Sequence, residues 1–250
     1  MEAMIEQAAN ALRKAQRVAV LTGAGASAES GVPTFRASDG LWEGHHIEDV
    51  ATPDGFRRDP SLVWKFYNAR RENVSRVQPN PAHIALAKLE VRFGGAFTLA
   101  TQNVDGLHQA AGSINVLEVH GSLRRTRCTG CRCIEDRELE PLGELPECPR
   151  CGALLRPDIV WFHESLPERI WQEAQFAAAM CDVLLVVGTS AVVHPAASLI
   201  PIARQVHDDR PTRATVIEFN LTKTDASDYA DIGLYGKAGE LLPRVVERLG

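Results

Sequence analysis

Close to its beginning the chain reads Arg17-Val18-Ala19-Val20-Leu21-Thr22-Gly23-Ala24-Gly25-Ala26-Ser27-Ala28, and this run sets the expected architecture. An apolar, β-branched segment ends in Gly-x-Gly-x-x-Ala, and a helix is expected to follow. In dinucleotide-binding folds such glycines let the backbone approach a pyrophosphate, and the amides at the helix start favour its negative charge. The alternative interpretation is that these small residues only allow a strand and a helix to pack closely.

Further apolar runs along the chain predict more buried strands. They cover 96–101, 115–120, 183–188 and 214–219. Such runs are typical of strands covered on both faces in a parallel sheet. Helical patterns, each opened by or close to a proline, lie between them at 81–92, 167–180 and 194–206. The alternation predicts an α/β fold with a doubly wound, Rossmann-like parallel sheet.

Two insertions interrupt this alternation. The first insertion, 37–77, is polar and aromatic with helical patches, and the second insertion, 121–158, carries the paired cysteines. We expect the two insertions to form a smaller domain, so that 1–36, 78–120 and 159–250 make the larger, Rossmann-like domain. The cleft between two such domains is a common place for a binding site.

The second insertion contains two Cys-x-x-Cys pairs separated by sixteen residues, Cys128-Thr129-Gly130-Cys131 and Cys148-Pro149-Arg150-Cys151. This spacing predicts one tetrahedral zinc ion. Because four thiolates leave no open coordination position, the ion is expected to stabilise the fold rather than to activate water. Cys133 is either an alternative ligand or an ordinary thiol, and Cys181 is interpreted as a small core residue.

Charge and hydropathy limit the partners and the cellular compartment that can be expected for this protein. The net charge is −5 and the basic residues are scattered, so nucleic acid is not an expected partner. No apolar run approaches the roughly 18 residues of a membrane span, and residues 1–16 have the pattern of an amphipathic helix rather than of a signal peptide. We therefore expect no membrane association and a cytoplasmic location, in a reducing compartment where paired cysteines bind zinc rather than form disulfides. We also expect a monomer.

The sequence after the glycine turn departs from that of an ordinary dinucleotide dehydrogenase. Such folds place an Asp or Glu about 20 residues further on, at the end of a strand, where it binds the adenosine ribose. Residues 29–42 lack this strand, and Gly31, Pro33 and Gly40 break their periodicity, as in a mobile loop that closes over a ligand. The missing acidic residue therefore argues against a dehydrogenase. Another alternative interpretation of the chain is a zinc-ribbon module that binds protein or nucleic acid and has no catalytic function.

Polar side chains follow two of the predicted strands. The run Thr101-Gln102-Asn103-Val104-Asp105-Gly106-Leu107-His108 starts where strand 96–101 ends, at the edge where α/β folds bind ligands. His120 ends the next predicted strand, and Gly121 after it leaves room for the side chain. A histidine that projects into such a crevice is a candidate general base.

In their order along the chain, these motifs resemble the sirtuin family. The matching residues are Gly23–Ser27, Pro33-Thr34-Phe35-Arg36, Thr101–Asp105, His120-Gly121, the four paired cysteines, Gly188-Thr189-Ser190 and Phe219-Asn220. The resemblance covers nearly the whole chain and implies NAD-dependent removal of acyl groups from protein lysines, giving nicotinamide and an O-acyl-ADP-ribose. It implies NAD as co-substrate and one structural zinc ion, and the short termini suggest a bacterial or archaeal type. Protein ADP-ribosyl transfer shares the loss of nicotinamide and stays an alternative.

The resemblance also implies residue roles. His120 would take a proton from a ribose hydroxyl after the acyl oxygen attacks C1′, while Asn103 and Asp105 would hold the nicotinamide and help to expel it. Val160-Trp161-Phe162 would pair with the substrate backbone as an added strand. Zinc would be held by Cys128, Cys131, Cys148 and Cys151. Further cofactor contacts would come from Gly23, Ala24, Gly25, Ser27, Ala28, Phe35, Arg36, Trp42, Gln102, Gly188, Thr189, Ser190, Asn220 and Ala238.

Three residues indicate the acyl group. Tyr67 and Arg70 lie three positions apart in a helical pattern and so on one face, and arginine beside a phenol can bind a carboxylate through a forked, charge-assisted pair. With Ala51, which leaves room for a longer chain, they resemble class III sirtuins, whose pocket accepts succinyl, malonyl or glutaryl groups. We expect desuccinylation and demalonylation with some deacetylation, and the alternative is mainly deacetylation. His163 stands where the family commonly has glycine, so it either alters peptide preference or faces solvent.

Overall fold

The computed structural model describes residues 1–34, 41–42, 44–206 and 212–250. Its central sheet contains β1 (Val18–Thr22), β4 (Phe97–Thr101), β5 (Val116–Glu118), β9 (Val183–Val187), β10 (Thr215–Asn220) and β11 (Ile232–Tyr235). The strands lie in the order β11-β10-β9-β1-β4-β5, and every neighbouring pair is parallel. The predicted doubly wound α/β sheet is confirmed.

Helices cover both faces of the sheet, and two short helices, α2 (Gly25–Ala28) and α7 (Leu107–Ala110), follow β1 and β4. On one face lie α1 (Glu2–Lys14), α6 (Pro81–Phe93) and α10 (Ala238–Glu247), and their apolar residues share a core with Val18 and Val20 of β1. On the other face α8 (Glu168–Met180) and α9 (Leu199–Ala203) pack with Ala19 and Leu21. Successive strand side chains point to opposite faces, so β1 is apolar from Val18 to Leu21 because both of its faces are buried.

The two insertions contribute to a third core. The first insertion supplies β2 (Leu41–Trp42), β3 (His45–His46), α3 (Ile47–Val50), α4 (Pro53–Arg58) and α5 (Pro60–Ser75), and the second contains an antiparallel sheet of β7 (Ile134–Asp136), β6 (Gly121–Cys128) and β8 (Leu155–Ile159). Trp64 of α5 is fully buried against this sheet and donates from Nε1 to the Leu155 carbonyl at 2.8 Å. The division into two domains stays a prediction.

Three elements differ from the sequence-based expectation. The strand predicted at 115–120 contains only Val116–Glu118, so His120 follows the strand in a turn. The helix predicted at 194–206 is replaced by a 3₁₀ turn at Ala196–Ser198 and the short α9, because Pro201 has no backbone N–H to donate in the interior of a continuous helix, whereas it lies in the first turn of α9. Strand β11 has no long apolar run and was not predicted. Within the described residues, no helix is long and apolar enough to span a membrane.

Candidate active site

A cavity of about 690 Å³ opens at the carboxyl edge of the parallel sheet. It lies beside β1, where the strand order reverses towards β4 on one side and β9 on the other; such reversal points are the usual ligand sites of open α/β sheets. The predicted site residues that line it are Gly23, Ala24, Gly25, Trp42, Ala51, Tyr67, Arg70, Gln102, Asn103, Asp105, His120, Val160, Trp161, Phe162, Gly188, Thr189, Ser190 and Asn220. One cavity therefore brings together most of the residues expected to act on cofactor and substrate.

The other predicted cofactor residues are placed differently. Ser27 is fully buried behind the cavity wall, where its hydroxyl contacts residues that do line it. Ala28 and Ala238, both described, are outside the lining, and Ala238 is buried in the core of the first face at the start of α10. Phe35 and Arg36 lie outside the described residues. Cofactor contacts by these five residues stay predictions.

The glycine turn packs tightly against the turn after β9. A Cβ atom at Gly23 would lie 2.7 Å from the Thr189 Cβ, and one at Gly25 would lie 2.8 Å from the Gly188 Cα. The amides of Gly23 and Gly25 also donate to the carbonyls of Val187 and Gly188, at 3.1 and 2.7 Å. Close packing thus accounts for part of the motif, and these two amides are not available to a phosphate as they stand.

Asn103 and Asp105 are held by one serine. The Ser27 hydroxyl donates to Asp105 Oδ2 at 2.7 Å and accepts from Asn103 Nδ2 at 3.0 Å. Burial raises the pKa of Asp105, although bonds from the Leu107 amide and Ser27 partly oppose that shift. The amide and the carboxyl are thereby fixed side by side at the cavity wall, in the place expected for recognition of a carboxamide.

His83 belongs to the same network and was missed in the sequence. Its Nε2 lies 3.3 Å from the Ser27 hydroxyl, while its Nδ1 accepts from the Asn80 amide at 3.2 Å. Because a backbone N–H can only donate, Nδ1 carries no proton and Nε2 donates to Ser27. His83 thus supports Ser27, which supports Asn103 and Asp105. The only sequence signal was Asn80-Pro81, which caps α6 and places His83 in its first turn.

His120 is oriented with one nitrogen available as a base. Its Nδ1 lies 3.2 Å from the Gln102 carbonyl, which can only accept, so Nδ1 carries the proton and Nε2 keeps its lone pair. Burial lowers the pKa of His120, although the bond to Gln102 opposes the shift. The side chain is therefore neutral at pH 7, as a general base must be.

Polar groups that follow or end β4, β9 and β10 line another part of the cavity. Gln102 after β4 donates from Nε2 to Thr189 Oγ1 at 2.8 Å, and Asn220 at the end of β10 donates from Nδ2 to the Thr189 carbonyl at 2.8 Å. Thr189 therefore ties Gln102 and Asn220 together. Their predicted contacts with ribose and adenine stay predictions, but the cavity contains all three side by side.

The three residues predicted to select the acyl group, Ala51, Tyr67 and Arg70, all line the cavity. The Arg70 guanidinium lies 4.1 Å above the Trp42 ring and 5.8 Å from the Tyr67 ring. Tyr67 and Ala51 are buried, and burial raises the pKa of Tyr67 to about 12, so the phenol stays protonated. Trp42, expected to contact the cofactor, covers the arginine here. Its ring and that of Tyr67 surround a cation with apolar surface.

The segment Val160-Trp161-Phe162 lines the cavity, but its amides are occupied. Val160 donates to the His120 carbonyl at 2.9 Å, Trp161 to Glu164 Oε2 at 2.9 Å and Phe162 to the Ala51 carbonyl at 3.0 Å. Capture of a substrate backbone by this segment stays a prediction. Because the three amides already donate to other groups, the segment would have to accept hydrogen bonds from the substrate through its carbonyl oxygens. His163 is highly exposed, has a φ of 69° and lies 3.8 Å from the Glu48 carboxylate.

Five thiols meet in the second insertion. The sulfurs of Cys128, Cys131, Cys133 and Cys148 all lie within 4.8 Å of one another, and Cys151 Sγ lies 3.4 Å from Cys128 Sγ. Zn–S bonds of about 2.3 Å in a tetrahedron separate sulfurs by about 3.8 Å, close to the 3.7 Å between Cys131 and Cys148.

The environment of these thiols also suits zinc. Although burial opposes the shift, the amides of Cys131 and Gly130 lower the pKa of Cys128 to about 6, which favours the thiolate that zinc requires. The cluster fits one structural zinc ion. Because it includes Cys133, the choice of Cys151 as fourth ligand stays a prediction.

Acid is expected to destabilise the fold through two buried histidines. Burial lowers the pKa of His83 to about 4 and, with the nearby His83 charge, that of His108 to about 3. The unfolded chain binds these protons near pH 6.5, so stability is full above that pH and is lost as the pH falls towards 4. His83 alone should contribute about 3 kcal/mol to this loss.

The measurement is urea unfolding at pH 7, 5.5 and 4. The pH dependence should be smaller in His83→Gln than in the wild type, whereas replacement of the exposed His163 by alanine should leave it unchanged. An equal pH dependence in His83→Gln and the wild type would show that His83 is not held neutral. Carboxylates and the cysteine cluster also contribute to the pH dependence of the free energy of unfolding. Because the wild type and the variants share these groups, the difference between them reports the histidine alone.

Comparisons with known proteins agree with this geometry. Residues 23–195 match the model of the Sir2 family. The chain is 47% identical over 252 residues to a protein of Pyrococcus furiosus named NAD-dependent protein deacylase, which covers 98% of each chain. A structure of a Sir2 homologue in complex with NAD is 45% identical, with a TM-score of 0.88 over 98% of this chain and 93% of that one. A structure of Sir2Af2 bound to a myristoylated histone peptide is 38% identical, with a TM-score of 0.79 over 100% and 97%.

Proposed function

The chain belongs to the Sir2 family and is an NAD-dependent protein deacylase, and we propose that it removes succinyl and malonyl groups from protein lysines in preference to acetyl groups. The observation that supports the acyl preference is that Arg70 and Tyr67 lie 5.8 Å apart in the wall of the cavity, which is also lined by the small side chain of Ala51. Nicotinamide and an O-acyl-ADP-ribose are the proposed products.

The chemistry of the pocket supports an acidic acyl group. An acyl-lysine enters with its carbonyl near His120, and a succinyl or malonyl chain ends in a carboxylate further along the cavity. Arg70 offers a planar fork of N–H donors that matches a carboxylate, and the Trp42 and Tyr67 rings exclude water from that contact. An acetyl group ends in a methyl, which makes no use of these donors.

The remaining residues support the group transfer. NAD supplies the ribose that accepts the acyl group. Asn103 and Asp105 hold its carboxamide in this proposal, which is supported by the hydrogen bonds through which Ser27 fixes both side chains. His120 accepts a proton at Nε2 from a ribose hydroxyl, since Nδ1 is already bound to the Gln102 carbonyl.

Replacement of Arg70 by methionine tests the acyl preference. Loss of a desolvated contact with a carboxylate should weaken transition-state binding by roughly 2–5 kcal/mol, so kcat/KM for a succinyl-lysine peptide should fall by at least about 30-fold. For the same peptide carrying acetyl-lysine, kcat/KM should change far less. The measurement is mass spectrometry of the peptide with nicotinamide release as a second readout.

A matched control is Arg76→Met, since Arg76 follows α5 and is exposed with its partner Glu72. It should leave the ratio of desuccinylation to deacetylation as in the wild type. Intact desuccinylation in Arg70→Met would contradict the pocket assignment, and a wild-type preference for acetyl would contradict the proposed substrate class. Transfer of ADP-ribose would appear instead as added mass on the acceptor protein.

A further inference from the structure

The hydroxyl of Tyr67 is engaged by a tryptophan from the neighbouring segment. Trp161 Nε1 lies 2.9 Å from the Tyr67 oxygen, and the two side chains are 3% and 0% exposed. The planes of their rings are inclined by 41°, with centroids 6.4 Å apart. The contact is thus a buried hydrogen bond at the wall of the acyl end of the cavity.

The direction of this hydrogen bond follows from the two groups. An indole N–H can only donate, so the phenolic oxygen is the acceptor and the phenolic proton must point to a different group. Tyr67 belongs to the cavity wall together with Arg70. We propose that Trp161 positions the Tyr67 hydroxyl as a donor to the terminal carboxylate of acidic acyl groups and so helps to set acyl specificity. The inference rests on the proposed function and deepens it.

The Trp161 ring is itself held firmly. The Arg156 guanidinium lies 3.5 Å from its centroid, and that guanidinium binds both oxygens of Glu164 at 2.6 and 2.9 Å. Glu164 Oε2 also accepts from the Trp161 amide at 2.9 Å. One carboxylate therefore fixes the backbone of Trp161 and the cation stacked on its ring. This limits the movement of the indole N–H.

The same arrangement explains why the effect should depend on the acyl group. A carboxylate at the end of a succinyl chain can accept from the Arg70 fork and from the Tyr67 proton together, and hydrogen bonds to charged groups are the strong ones. An acetyl group has no acceptor at that depth. The Trp161 hydrogen bond should therefore matter for acidic acyl groups and little for acetyl.

The test is Trp161→Phe, which keeps an aromatic ring and removes the N–H donor. We expect the ratio of kcat/KM for succinyl-lysine to that for acetyl-lysine, on one peptide, to fall about tenfold. The loss should be in KM for the succinyl peptide with kcat little changed, since the terminal carboxylate is remote from the reacting atoms. The control Trp171→Phe, on α8 and outside the cavity, should leave the ratio unchanged.

A double-mutant cycle with Tyr67→Phe separates positioning from packing. If Trp161 acts through the Tyr67 hydroxyl, adding Trp161→Phe to Tyr67→Phe should not lower the ratio further. Losses in the ratio that add independently, or equal losses for both acyl groups, would overturn the inference while leaving the proposed function intact. A wild type that prefers acetyl would overturn both.

Arg156→Lys gives the same test should Trp161→Phe fail to fold. Lysine keeps a positive charge for Glu164 but cannot stack a planar group on the indole. We expect a smaller fall in the succinyl-to-acetyl ratio, of about two- to fivefold. An unchanged ratio in this variant would contradict a positioning role for the held indole.

Discussion

Replacement of His120 by alanine is expected to lower kcat for deacylation by about 10²- to 10⁴-fold, the usual contribution of a positioned general base. The reason lies in the tautomer. The Gln102 carbonyl holds the proton on Nδ1, so Nε2 is the nitrogen that accepts a proton, and alanine provides no substitute. The steady-state rate of formation of deacylated peptide, under saturating NAD and acyl peptide, measures the loss, because nicotinamide leaves before the step in which His120 acts. Replacement of His46, which is exposed and outside the cavity lining, should leave kcat unchanged.

The pH profile provides an independent check of the same role. Because burial lowers the pKa of His120 below its ordinary value of 6.5, wild-type kcat/KM should be constant through pH 7 and should decline only at lower pH, as the base becomes protonated. The decline assigned to His120 should be absent from the residual activity of His120→Ala. A variant with nearly wild-type kcat would show that another group accepts the proton.

The parallel sheet could be predicted because its strands are buried on both faces. Continuous apolar runs such as 183–188 follow directly from that environment, and the structure places β9 at Val183–Val187. The edge strands carry weaker signals: β5 contains three residues, and β11 contains a glycine at position 233. The helix expected at 194–206 was wrong in extent because its apolar periodicity continued through two prolines.

The candidate site could be predicted where a motif follows a strand, as for Asn103, Asp105 and His120. The side-chain contacts that connect these motifs could not be predicted from the sequence. His83 lies twenty residues before Asn103 in sequence and reaches the site through Ser27, a buried contact that depends on how α6 packs against the glycine turn. Likewise, no spacing rule relates Trp161 to Tyr67. Contacts of this kind require the tertiary structure.

The cysteines show the same limit. Spacing selects the pairs at 128/131 and 148/151, whereas the geometry groups Cys133 with three of these thiols. The Cys133 sulfur lies 3.4 Å from that of Cys131, and the Cys151 sulfur lies 3.4 Å from that of Cys128. Cys133 and Cys151, the two candidates for the fourth ligand, are therefore both within reach of one ion. Sequence spacing indicates that a metal is bound and cannot by itself select the fourth ligand from five nearby thiols.

Removal of zinc is expected to unfold the second insertion and abolish deacylation. Structural zinc contributes about 10–16 kcal/mol of apparent binding free energy in small domains, which is comparable to the whole of the roughly 5–15 kcal/mol that stabilises a typical protein. Cys128 and Cys148 are buried in the third core with Trp64, Tyr67 and Trp161, so loss of the ion should also disturb the side chains proposed to bind the acyl group. A strong chelator should therefore release one zinc per chain, change tryptophan fluorescence and remove activity together.

Single replacements should identify the ligands by metal content. We expect Cys131→Ser and Cys151→Ser to lower bound zinc from one per chain towards none, measured by elemental analysis after dialysis. Cys133→Ser should retain it, because two Cys-x-x-Cys pairs complete the tetrahedron without Cys133. Cys181→Ser is the matched control, since that thiol is buried against α8 and donates to the Ala178 carbonyl. Loss of zinc in Cys133→Ser with retention in Cys151→Ser would contradict this assignment and make Cys133 the fourth ligand. That result would agree with the position of the Cys133 sulfur within 4.8 Å of the sulfurs of Cys128, Cys131 and Cys148.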